Sequence, residues 1–231
     1  MFDAGKPSPA TASLRPSEYT AALLHALRME PRRARGASVL EIGCGSGVLL
    51  AALGTMGASS LCGVDIEQDA VETGASLLEG FGYRSEFFRG DMWQPVSGRR
   101  FDLIVANLPH FPMEHCPVSG RRASWSSGGP DGRELLDPFI EGLPDHLSPG
   151  GRAVITHNAF VDLDRSREVA AGHGLELRVV LTVLVYIAVE KAALMTPTVL
   201  LAEEGRSIRT YGPHVFGDMH IVEIAVSGAA G

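Results

Sequence analysis

Apolar positions along the chain follow two spacings. Short β-branched and leucine-rich runs occur at Ser38–Ile42, Leu61–Asp65, Glu86–Arg89, Phe101–Ala106 and Arg152–Thr156, with a longer run at Leu175–Val189 and a last one at His220–Val226. Such runs, bounded by Gly, Pro, Asp and Ser, predict strands. Between them, apolar residues recur three and four apart, which predicts helices over Leu49–Met56, Asp69–Gly80, Gly132–His146 and Asp162–Gly172. An earlier helix opens at Ser17-Glu18, with Leu23, Leu24 and Leu27 on one stripe. Strand–helix alternation of this kind predicts an α/β fold built on a doubly wound, mostly parallel seven-stranded sheet with right-handed crossovers. No clear helix separates the last two strands, so they are expected to pair antiparallel at the C-terminal edge. Residues 190–218 then form a long insertion between them, and such insertions serve as lids or binding loops.

Composition narrows this little. A chain of 231 residues with 45% hydrophobic content is expected to form one domain over residues 15–231, after a loose Pro/Ser/Ala-rich segment at 1–14. The net charge of −7 counts against a nucleic-acid partner or an anionic membrane surface. The small clusters Arg32, Arg33, Arg35 and Arg121, Arg122 read as solvated faces. Cys44, Cys62 and Cys116 are odd in number and lack C-x-x-C spacing, so neither a disulfide framework nor a metal site is expected, and a reducing cytoplasm fits best. No basic start followed by an apolar signal core is present, and Val179–Val189 is too short to span a bilayer.

In doubly wound sheets ligands bind beyond the carboxyl ends of the strands. The first such end reads Glu41-Ile42-Gly43-Cys44-Gly45-Ser46-Gly47. Its glycines permit a sharp turn and close backbone approach. The spacing is G-x-G-x-G rather than the G-x-G-x-x-G of a pyrophosphate site, and an acid precedes it. A carboxylate there repels a pyrophosphate and suits a ligand carrying an ammonium. Asp65 ends the second strand, 22 positions after Gly43, about where an acid meets ribose hydroxyls. Asp91-Met92-Trp93 follows the third, suited to an adenine amino group and its flat face. After the fourth comes Asn107-Leu108-Pro109-His110-Phe111-Pro112, too proline-rich for helix or central strand, with Asn107 at its head.

These residues, in this order, resemble the cofactor half of class I S-adenosylmethionine-dependent methyltransferases. Within that superfamily the chain is similar to the Asn-Pro-Pro-Tyr branch, especially HemK-type release-factor glutamine methyltransferases. "RPSEYTAALL" (Arg15–Leu24), "SSGGPDGRELLDPFI" (Ser126–Ile140) and "LSPGGRAVI" (Leu147–Ile155) extend the likeness over roughly residues 15–160. The resemblance implies a Rossmann-like fold and S-adenosylmethionine as cofactor. It assigns Glu41, Gly43, Cys44, Gly45 and Gly47 to the methionine moiety, Asp65 with Ile66 to the ribose, and Asp91 with Met92 to the adenine. Asn107 takes the place of the motif's Asn, whose side chain, with the carbonyl after it, accepts from a planar NH2 beside the sulfonium. Asn107, Pro109 and His110 are thereby the expected catalytic set.

The chain departs from the pattern with Leu108 for the first proline and His110 for the tyrosine. His110 is expected to be a smaller platform that titrates near physiological pH, and His115 is a second proton-acceptor candidate. Upstream of residue 15 there is no room for the N-terminal helical domain of the release-factor enzymes. The expected function is therefore N-methylation of a small molecule, with specialised metabolism as its setting. The alternatives are an intramolecular cyclase of the azetidine-2-carboxylate synthase type releasing methylthioadenosine, a protein-glutamine or nucleic-acid base N-methyltransferase, and a non-catalytic cofactor-binding module. Tyr186, Glu190 and His214 are candidates to complete the pocket.

Overall fold

The computed structural model describes residues 16–113 and 126–228; residues 1–14, His115, Cys116, Arg121 and Arg122 lie outside them. Helix α1 (Glu18–Met29) precedes β1 (Ser38–Ile42), α2 (Val48–Thr55), β2 (Ser60–Asp65), α3 (Gln68–Phe81) and β3 (Ser85–Arg89). The second half runs β4 (Phe101–Ala106), α4 (Leu136–His146), β5 (Leu147–Asn158), α5 (Leu163–Gly172) and β6 (Leu175–Ile187). Short helices α6 (Val189–Ala192) and α7 (Pro197–Glu203) lead to β7 (Ile208–Tyr211) and β8 (His214–Val226).

The sheet order is β3-β2-β1-β4-β5-β8-β6, with β7 pairing β8. Pairs from β3 to β5 are parallel, and β8 runs antiparallel to both β5 and β6. Strands β1 and β4 are buried on both faces apart from Ser38 at the start of β1 and Asp102 near the start of β4, in keeping with their mostly apolar runs. One core lies between the sheet and α4 and α5, around Phe139, Ile140, Leu143 and Ile224. The other lies under α1, α2 and α3, around Leu23, Leu50, Leu53, Leu78 and Leu103. Each such side chain contributes about 1.5–3 kcal/mol by leaving water.

Three expectations change. The sheet has eight strands, and the C-terminal strand β8 lies inside it while β6 forms the edge. The segment 190–218 is no irregular lid but holds α6, α7, β7 and the start of β8. Its strands escaped notice because β7 is only Ile-Arg-Thr-Tyr and the first half of β8 carries Gly217 and Asp218, so neither shows an apolar run. Arg33, expected on a solvated face, instead reaches the buried Glu223 of β8, which Arg178 also contacts at 2.6 Å. Arg32 and Arg35 are exposed.

Between β1 and β4 the strand order reverses, which is where a doubly wound sheet opens a crevice. Gly47 shapes that crevice. It has φ of 73°, and a Cβ there falls 2.9 Å from the Gly74 Cα of α3. Gly47→Ala is expected to cost about 1–2 kcal/mol from left-handed backbone alone, and more from the clash. In contrast Gly80→Ala, in α3 with nothing within 4 Å of the new methyl, is expected to stabilise by about 0.4–1 kcal/mol. Chemical denaturation of the two variants beside the parent checks both signs.

Candidate active site

Two cavities open at the carboxyl ends of the strands. The first, of about 320 Å³, is lined by Gly43, Gly45, Asp65, Ile66, Asp91, Met92, Asn107 and Pro109 among others. Backbone N–H groups of Gly43 and Cys44 donate to the Val64 carbonyl at 2.8 and 3.0 Å, which folds the loop back over β2. Gly43 and Gly45 have φ of 71° and 49°, and a Cβ on Gly45 would meet nothing within 4 Å, so the loop presents bare backbone to the space. Asp65 accepts from the Gly45 and Glu67 N–H groups, both at 2.9 Å. Burial raises its carboxyl above the ordinary value, and the backbone donors oppose that rise. Met92 holds φ of 43°, a strained conformation for a non-glycine residue that clusters at functional sites.

The wall of this cavity carries four carboxylates, Asp65, Glu67, Asp91 and Glu134, and no Lys, Arg or His among the described residues that line it. Three sequence candidates sit behind the wall rather than on it. Glu41 is buried and faces the start of α2, where the Leu50 backbone contacts it; burial pushes its carboxyl well above the carboxylate range, and its Oε2 has no partner. Cys44 packs toward Gly63, where a Cβ would lie 3.0 Å from its sulfur, and Gly47 packs on α3. Trp93 is structural: it stacks on Phe139 and His146, and its Nε1 donates to the Pro138 carbonyl.

The second cavity, of about 500 Å³, shares Asn107, Leu108 and Pro109 with the first. Its other wall is α1 with Glu18 and Tyr19, together with His110, Phe111, Tyr186, Glu190 and Lys191. The candidates Tyr186 and Glu190 line this cavity, and His214 stands beside Tyr186 with ring centroids 6.1 Å apart. Asn107 is fixed from two elements: Thr156 of β5 donates to its Oδ1 at 2.9 Å, and its Nδ2 donates to Thr20 of α1 at 3.4 Å. Tyr19 donates to Asn158 Oδ1 at 2.7 Å. Sequence reasoning singled out neither Thr20, Tyr19 nor Thr156; the only available signal was their place in the α1 and β5 segments.

His110 is the main correction. It is 2% exposed, its ring meets Tyr19 and Phe111, and burial lowers its pKa to about 4. It is therefore buried among rings and does not titrate near physiological pH. Its Nδ1 lies 2.5 Å from the Leu108 carbonyl oxygen. A carbonyl only accepts, so the proton is on Nδ1. Beside it His157 is fully buried and neutral, lowered to about 3 by burial, with Nδ1 donating to the Asn158 carbonyl and Nε2 accepting from Ser166 at 2.8 Å.

Residues 39–123 match the family described as "Methyltransferase domain". A putative protein N5-glutamine methyltransferase of Methanocaldococcus jannaschii is 36% identical over 123 residues, covering 53% of this chain and 62% of that protein. A release factor glutamine methyltransferase of Geobacter sulfurreducens is 34% identical, covering 54% and 46%. A ribosomal RNA small subunit methyltransferase C of Chromohalobacter salexigens is 34% identical, covering 59% and 36%. The chain spans about three fifths or less of the length of these relatives. Among solved structures, a putative RNA methyltransferase from Pyrococcus horikoshii aligns with TM-score 0.61 at 18% identity, over 96% of this chain and 90% of the other. A T. thermophilus 16S ribosomal RNA methyltransferase in complex with S-adenosylmethionine and guanosine aligns with TM-score 0.53 at 19% identity, over 97% and 45%. The matched segment runs from β1 past β4, and the fold is one shared with solved methyltransferases, one of which holds S-adenosylmethionine.

The two buried imidazoles predict an acid-sensitive fold. Both are held neutral, at about 4 and about 3 against 6.5 in the unfolded chain. Their contribution is present above pH 6.5 and lost as pH falls toward the folded values, at up to about 1.4 kcal/mol per pH unit for each. Denaturation between pH 7 and about 5 should show this slope, and His157→Gln should flatten it; an unflattened slope would assign the acid sensitivity elsewhere.

Proposed function

We propose that this domain transfers a methyl group from S-adenosylmethionine to a planar, weakly basic nitrogen of the carboxamide or nucleobase-amino type. One observation carries the reading: Asn107–Pro109 is the common wall between a carboxylate-lined cavity, without cations among the described residues that line it, and a second, aromatic-rimmed cavity. A wall with four acids and no cation among its described residues repels pyrophosphates and favours a ligand bearing a sulfonium and an ammonium. The space left by Gly43 and Gly45 and the buried Asp65 fit the cofactor's tail and ribose, and Asp91 with Met92 fits its adenine. The expected small-molecule acceptor finds no support among the curated relatives, whose names point to protein glutamine and ribosomal RNA. They bring nucleic acid back among the acceptors despite the acidic net charge.

When bound, the cofactor supplies an already activated methyl. What remains for the chain is alignment and exclusion of water, worth up to ~7–11 kcal/mol of barrier. Asn107 Oδ1, held by Thr156, accepts an acceptor N–H and turns the nitrogen lone pair toward the shared wall. Leu108, Pro109 and Phe111 line that space with apolar surface.

A second reading, the methylthioadenosine-releasing cyclase, draws on the Leu108 carbonyl, which already accepts from His110 and so is partly spent as an acceptor for an external amide.

Mass spectrometry of purified protein with S-adenosylmethionine, alone and with glutamine peptides or RNA, separates the two. S-adenosylhomocysteine formed only with an acceptor supports methyl transfer; methylthioadenosine from the cofactor alone overturns it in favour of cyclisation. Asp65→Ala is expected to weaken cofactor binding by about 1–3 kcal/mol, read by calorimetry. Asn107→Ala should lower turnover far more than cofactor affinity, and equal losses would restrict Asn107 to shaping the cofactor cavity.

A further inference from the structure

His110 has one nitrogen committed and one without a partner. Nδ1–H donates to the Leu108 carbonyl, which fixes the tautomer and leaves a lone pair on Nε2. That Nε2 is buried and has no hydrogen-bond partner, although His110 lines the second cavity. Orphan buried acceptors of this kind are rare and call for an explanation.

None of the described neighbours supplies the missing proton, although Asn158, bonded to Tyr19, keeps an unpartnered Nδ2 and Lys191 lies over the Phe111 ring. His157, with ring centroid 6.4 Å away, has given its Nδ1–H to the Asn158 carbonyl, and its Nε2 itself accepts from Ser166. Tyr19, whose ring meets His110 edge-on at 6.0 Å, has given its hydroxyl proton to Asn158 Oδ1. Phe111 offers none. The imidazole is clamped by these rings, so the lone pair has a fixed direction rather than a choice of partners.

We propose that His110 Nε2 is the second hydrogen-bond acceptor of the acceptor site, receiving one N–H of a neutral planar NH2 while Asn107 Oδ1 receives the other. This rests on the reading of the second cavity as the acceptor cavity of a methyltransferase. The imidazole stands in for the backbone carbonyl it occupies: Leu108 O is committed to Nδ1–H, and the accepting function is passed through the ring to Nε2. Burial keeps that lone pair unprotonated well below neutral pH, so it is available throughout the working range. A carboxamide or nucleobase amino group supplies two coplanar N–H donors without a charge to desolvate. An alkylammonium brings a charge that must be desolvated against the Tyr19 and Phe111 rings beside His110, the charged residues Glu18, Glu190 and Lys191 lying elsewhere on the cavity wall. His110 is thereby a specificity-determining residue, selecting neutral NH2 acceptors.

The test follows the imidazole nitrogens by NMR in isotope-labelled protein saturated with S-adenosylhomocysteine, with N-acetylglutamine methylamide and guanosine as probes. The expected result is a bare Nε2 whose resonance moves when a probe is added, while Nδ1 stays protonated and His157 does not change. An Nε2 resonance unmoved by both probes overturns the assignment, as does an Nε2 that carries the proton. In parallel, His110→Phe keeps a ring against Tyr19 but removes the lone pair. It should bind S-adenosylhomocysteine within about twofold of the parent and lose at least tenfold in kcat/KM for the probe that is methylated, with His110→Gln recovering part of the loss. Parent-like transfer by His110→Phe overturns the proposal. Failure of the methyltransferase reading itself appears separately, as absence of S-adenosylhomocysteine binding in the parent or methylthioadenosine as its product.

Discussion

Parallel pairing of β1 with β2 on one flank and with β4 on the other is the constraint from which the site follows. It sends three chain segments out of the sheet at one place: the glycine loop, the acid at the end of β2 and the Asn107 segment. Because β1 is buried on both faces, its register is fixed by packing, and a slip would expose its apolar residues or bury Ser38. The positions of Asp65 and Asn107 relative to the loop are thus set by the core rather than by the loop itself. Tight packing behind the loop, at Gly47 against Gly74 and Gly63 against Phe87, carries that rigidity to the cavity wall.

The antiparallel end of the sheet serves a different purpose. Since β8 runs opposite to β5, its first half extends past the carboxyl ends of the parallel strands, where β7 replaces β5 as its neighbour. This raises a wall beyond the crevice and carries Tyr186 of β6 and the α6 residues to the rim of the second cavity. From the other side α1 supplies Tyr19 and Thr20. The second cavity is therefore assembled from segments far apart in sequence, whereas the first comes mostly from consecutive strand ends.

That difference explains what the sequence discloses. Gly43, Gly45, Asp65, Asp91 and Met92 are legible because each lies within a few residues of a strand end, and strand ends show as breaks in apolar runs. Glu41 shows the limit of the same logic: spacing places it beside the ligand, yet strand alternation turns it into the core toward α2. His110 departs from its expected titration for a related cause. A histidine between prolines after a strand carries no sign of its burial, and only tertiary packing of Tyr19 and Phe111 around it reveals a buried, neutral ring. Strand β7 was missed because its pairing partner, not its own pattern, makes it a strand.

The buried polar groups beside Asn107 give the acceptor side its character. Asn107, Thr156, Tyr19, Asn158, His110, His157 and Ser166 form a chain of donors and acceptors with most members satisfied. In a low-dielectric corner, each unsatisfied atom costs about 1–3 kcal/mol, and one on a residue that lines a cavity, as His110 does, can recover that cost from a group brought in from outside the chain. Water is one such partner, but a water seated at His110 Nε2 would have to be expelled before an acceptor could enter. An acceptor that brings its own N–H to the same lone pair replaces that bond without loss, while one lacking it leaves the lone pair bare. Discrimination by an unmet hydrogen bond is stronger than discrimination by a missing methylene. The selectivity of this domain is for that reason expected to reside in the polar chain around His110 rather than in the apolar rim of the cavity.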